Sequence, residues 1–164
     1  DADALHARIR EIVCEIRQKV AEKGEQLSPW LEQEEEWRSI KERGILRTED
    51  AYSFKTIADI CQKCFGKDAN YRIQRSFFHV ADDRMLWCPK LAIELPDGSN
   101  VIIEHNDSGA TPVKHPDKPR YTFAKSKDER GEDAYRFIGI FEWSETTPSG
   151  EHIYKRMASD MKLK

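Results

Sequence analysis

The stretch Arg120 to Trp143 reads RYTFAKSKDERGEDAYRFIGIFEW, and its pattern decides the fold of this 164-residue chain. Two runs rich in aromatic and β-branched side chains flank a charged segment containing Gly131, which is the signature of two antiparallel strands joined by a turn. Cations stand between the rings in both runs, Lys125 after Tyr121 and Phe123, and Arg136 between Tyr135 and Phe137. A small curved β module follows, with a surface suited to polyanions or bases.

Outward from this hairpin, period-two patterning continues. On the C-terminal side a loop at Thr146 to Glu151 holds Pro148 and Gly150, and the run His152 to Leu163 reads as strand, helix or both. On the N-terminal side Asn106 to Pro119 carries three prolines and is a long loop. Before it, Tyr71 to Val80, Met85 to Leu95 and Val101 to His105 read as strands, with Pro96-Asp97-Gly98 turning the chain. Before those strands the period lengthens. A helix is expected over Phe54 to Phe65, with Ser53 as cap, Gly66 as stop and Ile57, Ile60, Cys61, Cys64 and Phe65 as its apolar face. A second helix starts at Ser28-Pro29, uses Trp30, Trp37 and Ile40, and stops at Gly44. The first places Leu5, Ile9, Ile12, Val13, Ile16 and Val20 on one face and ends near Gly24, so its apolar stripe must dock somewhere.

Composition sets the bounds. With 38% hydrophobic and 35% charged residues the chain lies far from the disordered class, and its length suits one compact domain. Asp1 in place of Met leads us to expect a piece of a longer protein. No run of about 18 apolar residues and no signal-peptide pattern occurs, so no membrane partner and a cytoplasmic address are expected. The net charge of −3 is unevenly spread: residues 1–50 hold 13 acids and 9 bases, and residues 51–164 hold 17 acids and 18 bases. Lys114, Lys118, Arg120, Lys125 and Lys127 face only Asp117 between residues 110 and 127, a local positive patch. The run EQEEE at Glu32 to Glu36 reads as a solvated face.

Chemistry-bearing groups are few. Cys61 and Cys64, spaced as Cys-x-x-Cys, invite a zinc site completed by His79 and Cys88, but both thiols fall on an apolar helix face and no second pair appears. Asp83, Glu94 and Glu104 could hold a hydrolytic magnesium, yet Glu104 is followed by Asn106 where a nuclease strand would offer lysine. His79, His105, His115 and His152 are tied to no nucleophile. No catalytic residue, metal or cofactor is therefore assigned. The aromatics Trp87, Tyr121, Phe123, Tyr135 and Trp143 offer faces for base stacking, with core packing as the competing use, and Trp87 and Tyr121 are the expected holders of the base. Phosphate contacts fall to Arg72, Arg75, Lys90, Arg120, Lys125, Arg136, Lys155 and Arg156, with ordinary surface pairing as the alternative.

Several motifs taken in order resemble a known group. Trp87-Cys88-Pro89-Lys90-Leu91, Ile102-Ile103-Glu104, Arg120 to Lys125, Tyr135 to Glu142 and Tyr154 to Ala158 are similar to a domain of bacterial restriction and phage-defence proteins that stands beside HNH-type nuclease modules. The hairpin resembles the β core of the PUA and SRA group of nucleic-acid readers. The resemblance covers residues 54–164 and implies a curved sheet closing toward a barrel, reading modified or flipped bases. Together these observations predict an α+β protein with N-terminal helices packed on a curved, mostly antiparallel C-terminal sheet, divided as a helical region 1–66 and a β-rich base-reading module 67–164. The expected function is DNA-binding specificity in a restriction or defence system. Its partners would be double-stranded DNA, modified at a base, and a nuclease module fused to it or separate. A metal-dependent nuclease and a protein-interaction module are the alternatives.

Overall fold

The computed structural model describes residues 1–50, 52–81, 83–90, 100–105 and 111–164, with the side chains of 25–29 outside that description. The expected turn at Pro96-Asp97-Gly98 and the start of the loop after His105 lie outside the described residues. Two compact units are present, Asp1–Ser39 and Ile40–Lys164.

The first unit is most of a helix, α1 (Ala2–Arg43), whose last turn belongs to the second unit. The break expected between Gly24 and Ser28 does not form. Gly24 has open space around it and costs about 1 kcal/mol in a helix, while the flanking Ala, Glu, Lys, Gln and Leu residues favour continuation. Pro29 removes one backbone donor there. The helix ends where expected, because Gly44 takes φ 72° and donates its N–H to the carbonyls of Ile40 and Lys41.

In the second unit β1 (Ile45–Arg47) leads to β2 (Ser53–Phe54) and α2 (Ile57–Cys64). The expected cap at Ser53 is corrected. Thr56 caps α2, its hydroxyl accepting from Asp59 N at 3.0 Å, and Ser53 is extended because β2 pairs with a later strand. The buried face of α2 is Ile57, Ala58, Ile60, Cys61 and Cys64, and Gly66 follows at φ 65°. The remaining strands are β3 (Phe77–Ala81), β4 (Arg84–Trp87), β5 (Val101–Glu104), β6 (Arg120–Lys127), β7 (Asp133–Thr146), β8 (His152–Ala158) and β9 (Asp160–Lys162). Tyr71 to Arg75, expected to be strand, is coil. The C-terminal run resolves into two strands.

The expected hairpin forms, with Arg120 opposite Phe141 at one end and Lys127 opposite Asp133 at the other. Asp128 organises its turn: one carboxylate oxygen accepts from Arg130 N and Glu132 N, both at 2.9 Å. The main sheet has the order β3-β4-β6-β7-β8-β5, with β2 added beside β7. All its pairings are antiparallel except β4 with β6, so the chain leaves β4, crosses to the far edge as β5 and returns beside β4 as β6. Bulges interrupt β6–β7 at Thr122/Phe123 and β7–β8 at Ile140/Phe141 and Trp143/Glu145, bending the sheet without closing it. Gly139 lies among them at φ 129°, where a Cβ would stand 2.5 Å from Arg156 Cδ and 2.8 Å from Ala158 O. A separate pair, β1–β9, buries Leu46 and Met161.

Candidate functional site

Aromatic side chains on the strands gather into two clusters. Phe54 meets Phe123 edge-on at 5.5 Å, and Phe123 meets Phe137 at 5.3 Å. The second cluster joins Trp87, Ile102, Phe141 and Tyr154, with Phe77, Val113, Ile138 and Trp143 packed against it. Arg120 enters this second cluster. Its guanidinium carbon lies 4.3 Å from the Phe77 ring centre, 4.4 Å from Tyr154 and 4.9 Å from Trp87. Nη2 donates to the Lys114 carbonyl at 2.9 Å, and Nε is buried without a hydrogen-bond partner among the described residues. Burial lowers the pKa of Arg120, opposed by Tyr154 and Glu104. Tyr154 is itself pushed up to about 12 by burial, and its hydroxyl donates to Glu104 Oε1 at 3.3 Å.

This corrects part of the sequence reading. Arg120 is 3% exposed, Trp87 and Tyr135 6% and Phe123 0%, so a guanidinium expected on phosphate and three rings offered as faces for bases are internal. A planar, weakly hydrated cation among three rings is stabilised by their π faces, which sequence spacing does not reveal. Tyr121 is half-buried, edge-on to Phe65 at 5.7 Å and beneath the Arg84 guanidinium at 5.4 Å.

The other cations divide into groups. Arg72 lines a cleft of about 650 Å³ together with Lys55, Thr56, Gln62, Asp133 and Tyr135. Lys125 sits 3.1 Å from Asp133 and 5.7 Å from the Tyr135 ring centre, and Lys127 lies 2.6 Å from Asp133. Lys127 and Lys125 together hold the Asp133 carboxyl below its usual range. Arg156 Nη2 donates to Asn100 Oδ1 at 2.6 Å, and the neighbouring Lys155 is exposed. Arg75 and Lys90 are exposed, and Arg136 is exposed with Nη2 donating to the Thr48 carbonyl at 3.2 Å.

Beside the second cluster a pocket of about 410 Å³ is lined by Thr111, Pro112, Val113, Pro116, Trp143, Thr146 and His152. Its polar side is a relay: Trp143 Nε1 donates to Thr146 Oγ1 at 3.2 Å, and that oxygen lies 2.8 Å from His152 Nδ1. One indole face, apolar proline and valine walls and a short polar edge can accommodate a flat heterocycle and hydrogen-bond its rim. Trp143 was among the candidate faces in the sequence. Thr146 and His152 face each other across the short β7–β8 turn, whereas the 111–116 wall reaches them only through packing between residues distant in the chain, which the sequence does not reveal.

The metal readings find little support. Cys61, Cys64 and Cys88 are buried, which pushes Cys61 up to about 11, Cys88 up to about 12 and Cys64 well above the usual thiol range, so they are neutral thiols at pH 7. Asp83 is exposed, Glu94 lies outside the described residues and Glu104 is engaged by Tyr154. Among the described residues no group of three His, Cys, Asp or Glu is placed to hold a metal ion, and no helix is long and apolar enough to cross a membrane.

An α+β unit with a bulged, open sheet, a crossover that makes one parallel pair, and a pocket lined by Trp143 and His152 near the β7–β8 turn is the class of domain these features define. Residues 39–163 match the model of the SET and RING associated domain, and the chain belongs to that SRA family. The SRA resemblance carried by the β motifs is thereby borne out, and the match begins earlier than residue 54. The fold is similar to the solved structure described as the 5-hydroxymethylcytosine-specific restriction enzyme AbaSI, at 21% identity and a TM-score of 0.57 over 77% of this chain. The likeness covers 45% of AbaSI, so this chain spans less than half the length of that enzyme. A search of curated proteins finds no match.

Proposed function

We propose that this chain is a DNA-binding specificity module that reads a modified or extruded base for a restriction or defence system and leaves cutting to a nuclease module, fused or separate. The observation that supports the reading most is the SRA family match over residues 39–163. The description of AbaSI as specific for 5-hydroxymethylcytosine adds a substrate class to test, a cytosine carrying a 5-substituent. In this reading the Trp143 pocket takes the base. Extrusion costs a few kcal/mol and stacking on one ring returns about 1–3 kcal/mol, so phosphate contacts must supply the remainder. Arg72, Arg75, Lys90, Lys125, Arg136, Lys155 and Arg156 are the candidates for them, with Tyr121 at the margin, while Arg120, Trp87 and Phe123 hold the frame. The test is a titration of duplexes containing cytosine, 5-methylcytosine or 5-hydroxymethylcytosine across a salt series. A modified duplex should bind more tightly, affinity should fall steeply with salt, and Trp143→Ala should erase the preference. Absence of binding even at low salt would sink the proposal.

A further inference from the structure

The N-terminal part of α1 carries an apolar seam that the reading above leaves unused. Leu5, Ile9, Ile12, Val13, Ile16 and Val20 are 62, 48, 42, 41, 55 and 65% exposed. Leu5, Ile9, Ile12 and Ile16 step by four, three and four residues, the d-a-d-a pattern of a coiled coil, which extends to Ala2 at a and Lys19 at d. Val13 and Val20 widen the seam at e.

We propose that this segment is a self-association element, in which α1 of two copies pair antiparallel about a point between residues 10 and 11. Charge and size select this partner and direction. In a parallel pair Lys19 would face Lys19 of the second copy across the core, and Arg8 at g would lie against Val13 at e. In the antiparallel pair Lys19 lies over the small Ala2 of the second copy, and Leu5, Ile9, Ile12 and Ile16 meet Ile16, Ile12, Ile9 and Leu5. The g positions then face each other, so Arg8 meets Glu15 of the second copy twice by symmetry. Asp1 and Glu22 form a like-charged pair at the outer ends, where fraying and water weaken it. A membrane surface fits less well, because residues 1–24 carry five acids and five bases and lack a basic polar face.

Sedimentation equilibrium of the full chain over a concentration series tests the inference. The expected mass approaches twice 19.1 kDa at high concentration. Ile9→Glu with Ile16→Glu should raise the self-association Kd by about tenfold or more, with helical CD and the melting of the sheet unit retained. Arg8→Glu alone and Glu15→Arg alone should weaken association, and the double swap should restore it. A spin label at Lys23→Cys in a Cys14→Ser background should report a separation of at least about 38 Å, against neighbouring labels in a parallel pair. A mass of 19.1 kDa at every concentration, a trimer or larger species, no recovery in the double swap, or a short label distance would each overturn the proposal.

Discussion

Replacing Arg120 with alanine distinguishes an internal strut from a phosphate ligand. The side chain touches three rings at 4.3 to 4.9 Å and donates one charge-assisted hydrogen bond to Lys114 O. Three cation–π contacts at about 1 kcal/mol each and a charged hydrogen bond at about 1.5–3 kcal/mol add to roughly 5 kcal/mol. Against this stand the cost of keeping a guanidinium out of water and the unpaired Nε, which together remove a few kcal/mol. The net expectation for Arg120→Ala is a loss of about 3 kcal/mol, a fall in Tm of roughly 10 °C for a unit of this size. Arg120→Met refills the volume without the charge and should lose only about 1–2 kcal/mol. Urea melts of the three proteins at one pH, with duplex titrations on each, provide the measurement. A variant Arg120→Ala that melts like the parent, yet binds DNA with its log–log salt slope reduced by about one, would show the guanidinium on a phosphate and refute the reasoning.

Three further outcomes follow from the geometry. Gly139→Ala should destabilise by about 2–4 kcal/mol, since φ 129° strains any L side chain and the 2.8 Å approach to Ala158 O involves backbone. Adding Arg156→Ala should not rescue it, and a chemical melt within 0.5 kcal/mol of the parent would contradict the strain argument. Native-state titration with a thiol reagent at pH 8 should modify Cys14 rapidly and Cys61, Cys64 and Cys88 only on unfolding, so two fast thiols would contradict their burial. Because Lys127 and Lys125 depress the folded-state pKa of Asp133, its contribution is full above the unfolded carboxyl pKa and disappears as pH falls through the folded one. Asp133→Asn should therefore melt slightly below the parent at pH 7 and level with it near about pH 2, as paired thermal scans would show.

Local sequence determined those parts of this protein whose partners lie close along the chain. The Arg120–Trp143 hairpin is specified by alternation and a Gly131 turn, the end of α1 by Gly44, and the buried face of α2 by the spacing of Ile57, Ile60, Cys61 and Cys64. Helix continuity through Gly24 was less legible, because punctuating residues carry only a weak bias that neighbours override. Tertiary structure alone decided the parallel β4–β6 pairing, the distant return of β5 beside β8, and the approach of the 111–116 segment to Trp143, Thr146 and His152. It also decided the fate of Arg120, which by residue type reads as a surface cation. Such placements depend on contacts between residues tens of positions apart, whose favourable energy appears only after the loops between them have closed, and composition and periodicity carry no record of that closure.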